Sequence, residues 1–430
     1  MKQQQPVKYN SIPGGDDITR AILPNGVVVL TRENFNSPSV VIQGYLPGGS
    51  IFDPAEKLGL AHFTATCLMR GTQSQTFQEI YDTLESVGAS LGFGASVHNI
   101  NFAGRSLAED LPLLLELVTA SVMEPTFPKE HVKRVRAQFL THLAIREQDT
   151  EERASLALDE ILFPNHPYGT PEDGYIETIQ QIHREDLIRF QAENFGPGGA
   201  VIVVVGAVSS TDVMDHIYKT VATWRNPRQN TPPALPVPQP MQQTIRKHIP
   251  LPGKSQTDLF IGTHGPKRTA PEYLAASLGN NILGQFGMMG RIGDVVREQA
   301  GLAYAASTSL NAWHQGGSWE VSAGVNPANL DRAIDLITRE LERFVREPVS
   351  HDELQDSQAN YIGRLPLSLE SNAGVAGAIL NLERFQLGLD YYRLYADRIA
   401  AISPDEILSA AQAFIHPEHL AIVSSGPELE

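Results

Sequence analysis

Cysteine is almost missing from this 430-residue chain, and the lone Cys67 excludes an internal disulfide framework and any metal site built from several thiolates. It lies in an apolar helical stretch and reads as a small core residue. No run approaches the roughly 18 consecutive apolar residues of a membrane span. No Lys/Arg cluster interrupts a chain of formal charge -16, so nucleic acid, whose phosphates need a basic face, is excluded as a partner. Acidity of this kind serves solubility, with some attraction for basic peptides. No GxSxG nucleophile elbow is present, which argues against a standalone serine hydrolase. No GxxxxGK phosphate loop occurs either. Residues 1–6 lack the hydrophobic core of a signal peptide, but a polar, Gln-rich start also suits a processed chain. A soluble protein is expected, with periplasm and cytoplasm both open.

What is present is an ordinary globular composition, 42% hydrophobic and 19% charged, over a length that calls for two or more domains. An internal repeat organises it. Phe127-Pro128-Lys129-Glu130-His131-Val132 leading to Ala137-Gln138-Phe139-Leu140 resembles Val349-Ser350-His351-Asp352-Glu353-Leu354 leading to Ala359-Asn360-Tyr361-Ile362. Arg184-Glu185-Asp186-Leu187, ending in the strand 201–206, resembles Pro404-Asp405-Glu406-Ile407, ending in 420–423. A constant offset of about 220 residues implies two halves of one fold. Between them the stretch NPRQNTPPALPVPQP is an extended, semi-rigid connector. The expected division is an N-terminal half, 1–225, a linker, 226–242, and a C-terminal half, 243–430.

Within the first half, residues 40–46 read as a strand ending at the Gly48-Gly49 turn. Residues 58–69 read as a helix started by Asp53-Pro54 and stopped by Gly71. Phe77, Ile80, Tyr81, Leu84 and Val87 share one helical face. Residues 91–105 read as extended, with Gly92, Gly94 and the pair His98-Asn99 marking a strand whose backbone is closely approached. Residues 109–123 and 129–146 are two further amphipathic helices. Helices and strands that do not alternate one for one predict an α+β fold, helices packed on one face of a mainly antiparallel sheet.

The segment His62-Phe63-Thr64-Ala65-Thr66 follows Gly48-Gly49-Ser50-Ile51-Phe52-Asp53 and Gly59-Leu60-Ala61, and precedes Arg70-Gly71-Thr72. Further landmarks are Leu162-Phe163-Pro164-Asn165-His166-Pro167-Tyr168-Gly169 and Arg297-Glu298-Gln299-Ala300-Gly301-Leu302-Ala303-Tyr304. In this order they resemble the pitrilysin/insulinase family of zinc peptidases, in its short two-domain bacterial form. The resemblance implies a pair of homologous α+β halves and two chains closing like a clamshell around unfolded peptide. It also places HFTAT where active members carry HxxEH. There, two His one turn apart face the metal and the Glu polarises the attacking water. Here the Glu position is Ala65 and the second His position is Thr66. The third ligand, a Glu on a downstream helix, falls in register with Thr141-His142-Leu143, and Glu147 comes slightly later. His62, Ala65 and Thr66 therefore read as a degenerate zinc site. A rearranged site from His62, His98 and His142 lacks the spacing for tetrahedral zinc, and the three read as ordinary polar positions. No metal is expected in this chain.

The resemblance also implies that Arg297 and Tyr304 reach across to a zinc site. A phenol donates to the oxyanion that forms as a carbonyl becomes tetrahedral, and a guanidinium offers a fork of donors to a carbonyl or carboxylate. The competing reading makes Arg297 a helix cap and Tyr304 the start of a buried strand, its hydroxyl tied to backbone. Arg291 and Asp294, beside the turn 287–290, are weaker candidates. The resemblance implies that substrate pairs with an edge strand, here 91–101, which in this chain either still holds peptide, with Gly92, Gly94, Ser96, His98 and Asn99 as substrate-binding residues, or is a relic beside a site without metal. Two functions follow. In one, this chain is the non-catalytic subunit of a heterodimeric zinc endopeptidase, lending Arg297 and Tyr304 to an HxxEH-bearing partner that holds the zinc. In the other it is a purely structural subunit, similar to the core proteins of a respiratory complex.

Overall fold

The computed structural model of the protein describes residues 12–287 and 290–429; the N-terminal stretch 1–6 and the two methionines of the turn 287–290 are among those outside the described residues. Strands β1 (Thr19–Ile22), β2 (Val28–Glu33), β3 (Ser39–Pro47), β4 (Ser90–Ala95), β5 (Asn99–Leu107) and β6 (Val201–Gly206) form one sheet in the order β1-β2-β6-β3-β5-β4. Strands β7 (Ile245–Pro250), β8 (Thr257–Gly265), β9 (Ala303–Ala312), β10 (Gly317–Val325) and β11 (Ala421–Gly426) form a second in the order β7-β11-β8-β10-β9. With β1 set aside, the two orders are the same. Each sheet has one parallel pair, β2 with β6 and β7 with β11, and is otherwise antiparallel. The expected two homologous, mainly antiparallel α+β halves are borne out.

The helices repeat with the strands. The 18-residue helix Lys129–Arg146 recurs as His351–Ser368, and the 11-residue helix Arg184–Asn194 recurs as Pro404–Phe414. Between them the 13-residue helix Thr150–Leu162 recurs as Asn372–Arg384. Each of this last pair starts at a side-chain cap: Asp149 accepts from the Glu152 amide at 3.0 Å and Ser371 from the Gly374 amide at 3.1 Å. Residues 226–242 form no helix or strand, as their prolines require.

The compact units do not follow the linear halves. One unit combines the described residues up to 141 with 172–233 and 363–395; the other combines 142–171, 234–362 and 396 onward. The helix Asn372–Arg384 thus belongs to the first sheet, where Val375, Ala376, Ile379 and Leu380 pack with Leu30, Val41, Tyr45, Val203 and Val205. Its repeat mate Thr150–Leu162 belongs to the second, where Leu158 and Leu162 come so close to β8 that a Cβ at Gly262 would lie 3.0–3.2 Å from them. The main helical layer lies on the opposite face of each sheet. Gly104 of β5 packs under Leu114 of the helix Leu111–Met123, and Trp319 of β10 packs edge-on to Phe344 at 6.3 Å. Helices on one face is therefore the main layer, and each sheet adds one crossing helix on its other face. The physical reason is the apolar second face of β3 and β6, which the sequence pattern buries on both sides. Among the described residues no helix is long and apolar enough to cross a membrane.

Ile379 and Leu158, one on each crossing helix, are fully buried, so Ile379→Ala and Leu158→Ala are each expected to cost about 2–5 kcal/mol in denaturant unfolding. A fragment ending at residue 225 lacks the helix Asn372–Arg384 and is expected to expose the Val41–Val205 face and bind an apolar dye, until the C-terminal piece is supplied. Independent cooperative folding of that fragment would contradict the exchange.

Candidate functional site

The helix Leu60–Cys67 starts where Gly59 takes φ +94 against the Asp173 carbonyl, which a Cβ would meet at 2.7 Å. Asp53 ties this start, accepting from the Gly59 and Ala61 amides at 2.9 Å each. Burial pushes the Asp53 carboxyl up to about 8, while the Ala61, Gly59 and Leu60 amides pull the other way. The half-buried His62 ring stands edge-on to Phe139, centroids 5.2 Å apart. Ala65 is a methyl in the core, and the Thr66 hydroxyl donates to the His62 carbonyl at 3.0 Å. One imidazole, no carboxylate and a hydroxyl committed to its own helix do not fit a tetrahedral zinc. In the third-ligand register, the Thr141 hydroxyl donates to the Ala137 carbonyl at 3.0 Å, His142 is exposed and Leu143 is fully buried. Glu147 pairs with Arg153.

The helix Leu60–Cys67 packs against β4, the edge strand of its sheet. The stretch expected as one strand over 91–101 is a hairpin, because Ser96 turns the chain: its amide donates to the Asn99 carbonyl at 2.8 Å and its hydroxyl accepts from the Asn99 amide at 3.3 Å. Gly92 and Gly94 lie on the edge strand, Ser96 and His98 in the turn, and Asn99 begins the interior strand β5, 9% exposed. The Gly48-Gly49 motif seats this turn. The Ser50 and Ile51 amides donate to the Ser96 and Val97 carbonyls at 3.1 and 3.0 Å, and a Cβ at Gly49 would lie 2.3 Å from both oxygens. Glu172 holds the other side, accepting from the Val97 amide at 2.9 Å, with burial raising its pKa.

In the second unit, the six residues Asp294–Gln299 wind as a π-helix, a form that recurs at functional sites. Gly301, at φ +63, ends it and turns the chain into β9. This reversal brings residues seven apart together: the Arg297 guanidinium lies 5.9 Å from the Tyr304 ring centroid. Arg297 also meets Glu298 at 3.4 Å. Between the pairs Ala303–Val325 and Ala306–Ala323 the register slips, so Tyr304 and Ala305 oppose Gly324 alone. That β-bulge re-aims Tyr304 outward on an edge strand. Tyr304 is 89% exposed, so the reading of a buried strand with a tied hydroxyl is overturned. The phenol stands at the rim of a cavity of about 270 Å³ lined by Glu151, Asp258, Phe260, Ser307, Ser322 and Gly324.

Residues 28–172 match the insulinase family of peptidases, M16, and residues 181–361 match the M16 inactive domain. The chain belongs to the M16 insulinase family. It is 26% identical over 390 residues to an uncharacterized zinc protease of Mycobacterium leprae, covering 87% of this chain and 84% of that one. The mitochondrial-processing peptidase subunit beta of Saccharomyces cerevisiae is 24% identical over 371 residues, 82% of this chain and 79% of that one. The crystal structure of an M16 inactive domain from Pseudomonas fluorescens superposes with a TM-score of 0.89 at 25% identity, covering 96% and 99% of the two chains. A protease from Helicobacter pylori shares the fold at a TM-score of 0.88 and 17% identity, covering 97% and 100%.

For this M16 chain the remaining sequence candidates resolve differently. Arg291 is committed to structure: its Nε and Nη2 donate to Glu353 at 2.7 and 2.8 Å, and Glu340 lies 3.6 Å from its Nη1. It anchors the π-helical turn to the helices Leu330–Phe344 and His351–Ser368. Asp294 accepts from Gln299 at 2.6 Å. The cavity beside Tyr304 had no sequence signal, because its residues come from four separate segments.

The Arg291 fork holds Glu353 down to about 2, helped by the Ser350 amide and hydroxyl. A carboxyl whose folded pKa lies below its unfolded 4.5 stabilises above that value and loses its contribution as pH falls toward 2. With partial exposure screening the pair, Glu353→Gln is expected to cost about 1–2 kcal/mol at pH 7. The variant and wild type should then converge in thermal unfolding between about pH 4.5 and 2. A gap independent of pH would contradict this.

Proposed function

We propose that this chain is the non-catalytic subunit of a heterodimeric zinc metalloendopeptidase acting on unfolded peptides. On this reading it is inactive alone and holds no zinc, and a homologous HxxEH-bearing chain supplies the metal and the general base. The observation that carries it is Tyr304, a phenol bulged out of an edge strand into solvent with a guanidinium beside its ring. A phenol held 89% exposed at a bulge is free to meet a group outside this chain. The HFTAT helix points the same way, since its imidazole has neither a second His nor a carboxylate to complete a zinc set. The zinc of the partner would polarise the scissile carbonyl. The Tyr304 hydroxyl donates to the oxygen as it gains negative charge, and Arg297 offers its donors to a neighbouring carbonyl or carboxylate of the peptide.

The edge of β4 adds backbone hydrogen bonds that read no sequence, with Gly92 and Gly94 leaving the approach clear. The similarity to a named subunit of a processing peptidase supports assembly with a partner. A purely structural subunit is the alternative, and the presentation of Tyr304 favours the catalytic contribution over it.

Mixed with an HxxEH-bearing homologue, the chain is expected to restore cleavage of an unfolded peptide such as a casein fragment. Tyr304→Phe should then lower turnover on the order of 10²-fold, with assembly by size-exclusion chromatography unchanged. Equal turnover in the variant would remove the oxyanion role and leave the structural alternative.

A further inference from the structure

We propose that Arg384, with the open shelf of β4, forms a subsite for a carboxylate of bound peptide. The proposal rests on the reading that peptide pairs along β4. Arg384 is the last residue of the helix Asn372–Arg384, where the helix dipole favours a cation. Its guanidinium lies 4.9 Å from the Tyr45 ring centroid and donates from Nη2 to the Asn101 Oδ1 at 2.8 Å. Its Nε is buried with no acceptor. The adjacent carboxylate, Glu383, is taken by Arg20 at 2.8 Å through both oxygens. Among the described residues Arg384 makes no ion pair, and burial lowers its pKa. Guanidinium groups removed from water are ordinarily matched by an anion, and this one meets an amide and a ring.

The sheet register shows what lies beside it. Asn101 faces Tyr45 on β3 and Gly94 on β4; Ala103 faces Gln43 and Gly92; Arg105 faces Val41 and Ser90. These positions share one face of the sheet. The crossing helix covers it over β3 and β6 and stops there. Beyond the helix the floor is Ala103, Gly92 and Gly94, and a Cβ at either glycine would meet nothing within 4 Å. No Asp or Glu stands on this face of β3, β5 or β4. In a chain of net charge -16, a shelf with two guanidiniums and no carboxylate selects negative groups.

Geometry sets the reach. A strand added at β4 lies about 4.8 Å from it and about 9.6 Å from Asn101. Every second side chain of that strand faces the shelf, and among the described residues nothing lies within 4 Å of a Cβ placed at Gly94. A glutamate side chain, or the terminal carboxylate of a peptide ending there, can lie across Gly94 and meet the open side of the Arg384 guanidinium, whose Nη2 is held by Asn101. Arg105, about 13 Å further along β5 at strand rise, is exposed and offers a second contact.

The test is fluorescence anisotropy of the full chain with labelled unfolded peptides of one length, carrying Glu or Gln at one central position, each with a free or amidated C-terminus. Wild type is expected to bind the Glu or the free-acid peptide on the order of tenfold tighter than the amidated Gln peptide, less so at high salt. Which carboxylate carries the preference identifies its source. Arg384→Gln should abolish the preference and leave the neutral peptide's affinity unchanged. Asn101→Ala, which cuts the tie but keeps the charge, should retain it. A preference that survives Arg384→Gln overturns the assignment. If wild type binds the neutral peptide with no preference for carboxylate, the subsite falls and the β4 reading stands. If no peptide binds wild type, the β4 reading falls and the subsite with it.

Discussion

A β-sheet has two faces, and one layer of helices covers only one of them. In this chain the second face of each sheet is covered by a helix from the other half of the sequence, and the rest of the architecture depends on that exchange. The crossing helix Asn372–Arg384 lies over β3 and β6, and its mate Thr150–Leu162 lies over β8 and β11, the corresponding strands. Both leave part of the outer hairpin open: Ala103 and Arg105 of β5 are exposed in one sheet and Ser309 of β9 in the other, while Ser318 and Glu320 of β10 are buried. The open parts differ in chemistry. Beside β4 the shelf carries Arg384 and Arg105; beside β9 the cavity carries Glu151 and Asp258.

The two units have also diverged in what they present. In the first, the helix Leu60–Cys67 is tied at its start by Asp53 and closed by the Thr66 back-bond to the His62 carbonyl. In the second, the π-helical turn, the left-handed Gly301 and the bulge at Gly324 each depart from regular structure. Such departures persist where the surrounding structure enforces them, and here the Arg291–Glu353 fork does so from beneath. They converge on one outcome, an outward Tyr304 with Arg297 beside it.

How much of this was legible in the sequence follows from which interactions are local. The helix Lys129–Arg146 and its 18-residue repeat were legible because caps and apolar spacing are written along the chain. The offset of about 220 residues carried the shared topology of the sheets. The hairpin at Ser96 was read as one strand, since glycines on both sides hid a turn set by a single hydroxyl. The crossing helices were illegible, because nothing in Asn372–Arg384 states which sheet it will cover. At the site, the loss at Ala65 and Thr66 and the Arg297/Tyr304 spacing were visible as residues. The exposure of Tyr304 was not, because a bulge depends on the register between two strands. The lone guanidinium of Arg384 depends on Tyr45 and Asn101, which are distant in sequence.

On the proposed function, this chain kept one side of a divided active site and lost the side that holds the metal. Zinc content tests this most directly. The purified chain would be incubated with excess zinc, exchanged into metal-free buffer and measured by plasma mass spectrometry alongside cleavage of an unfolded peptide. Far less than stoichiometric zinc and no cleavage are expected. Tightly held stoichiometric zinc, lost together with cleavage in His62→Ala, would contradict the proposed function.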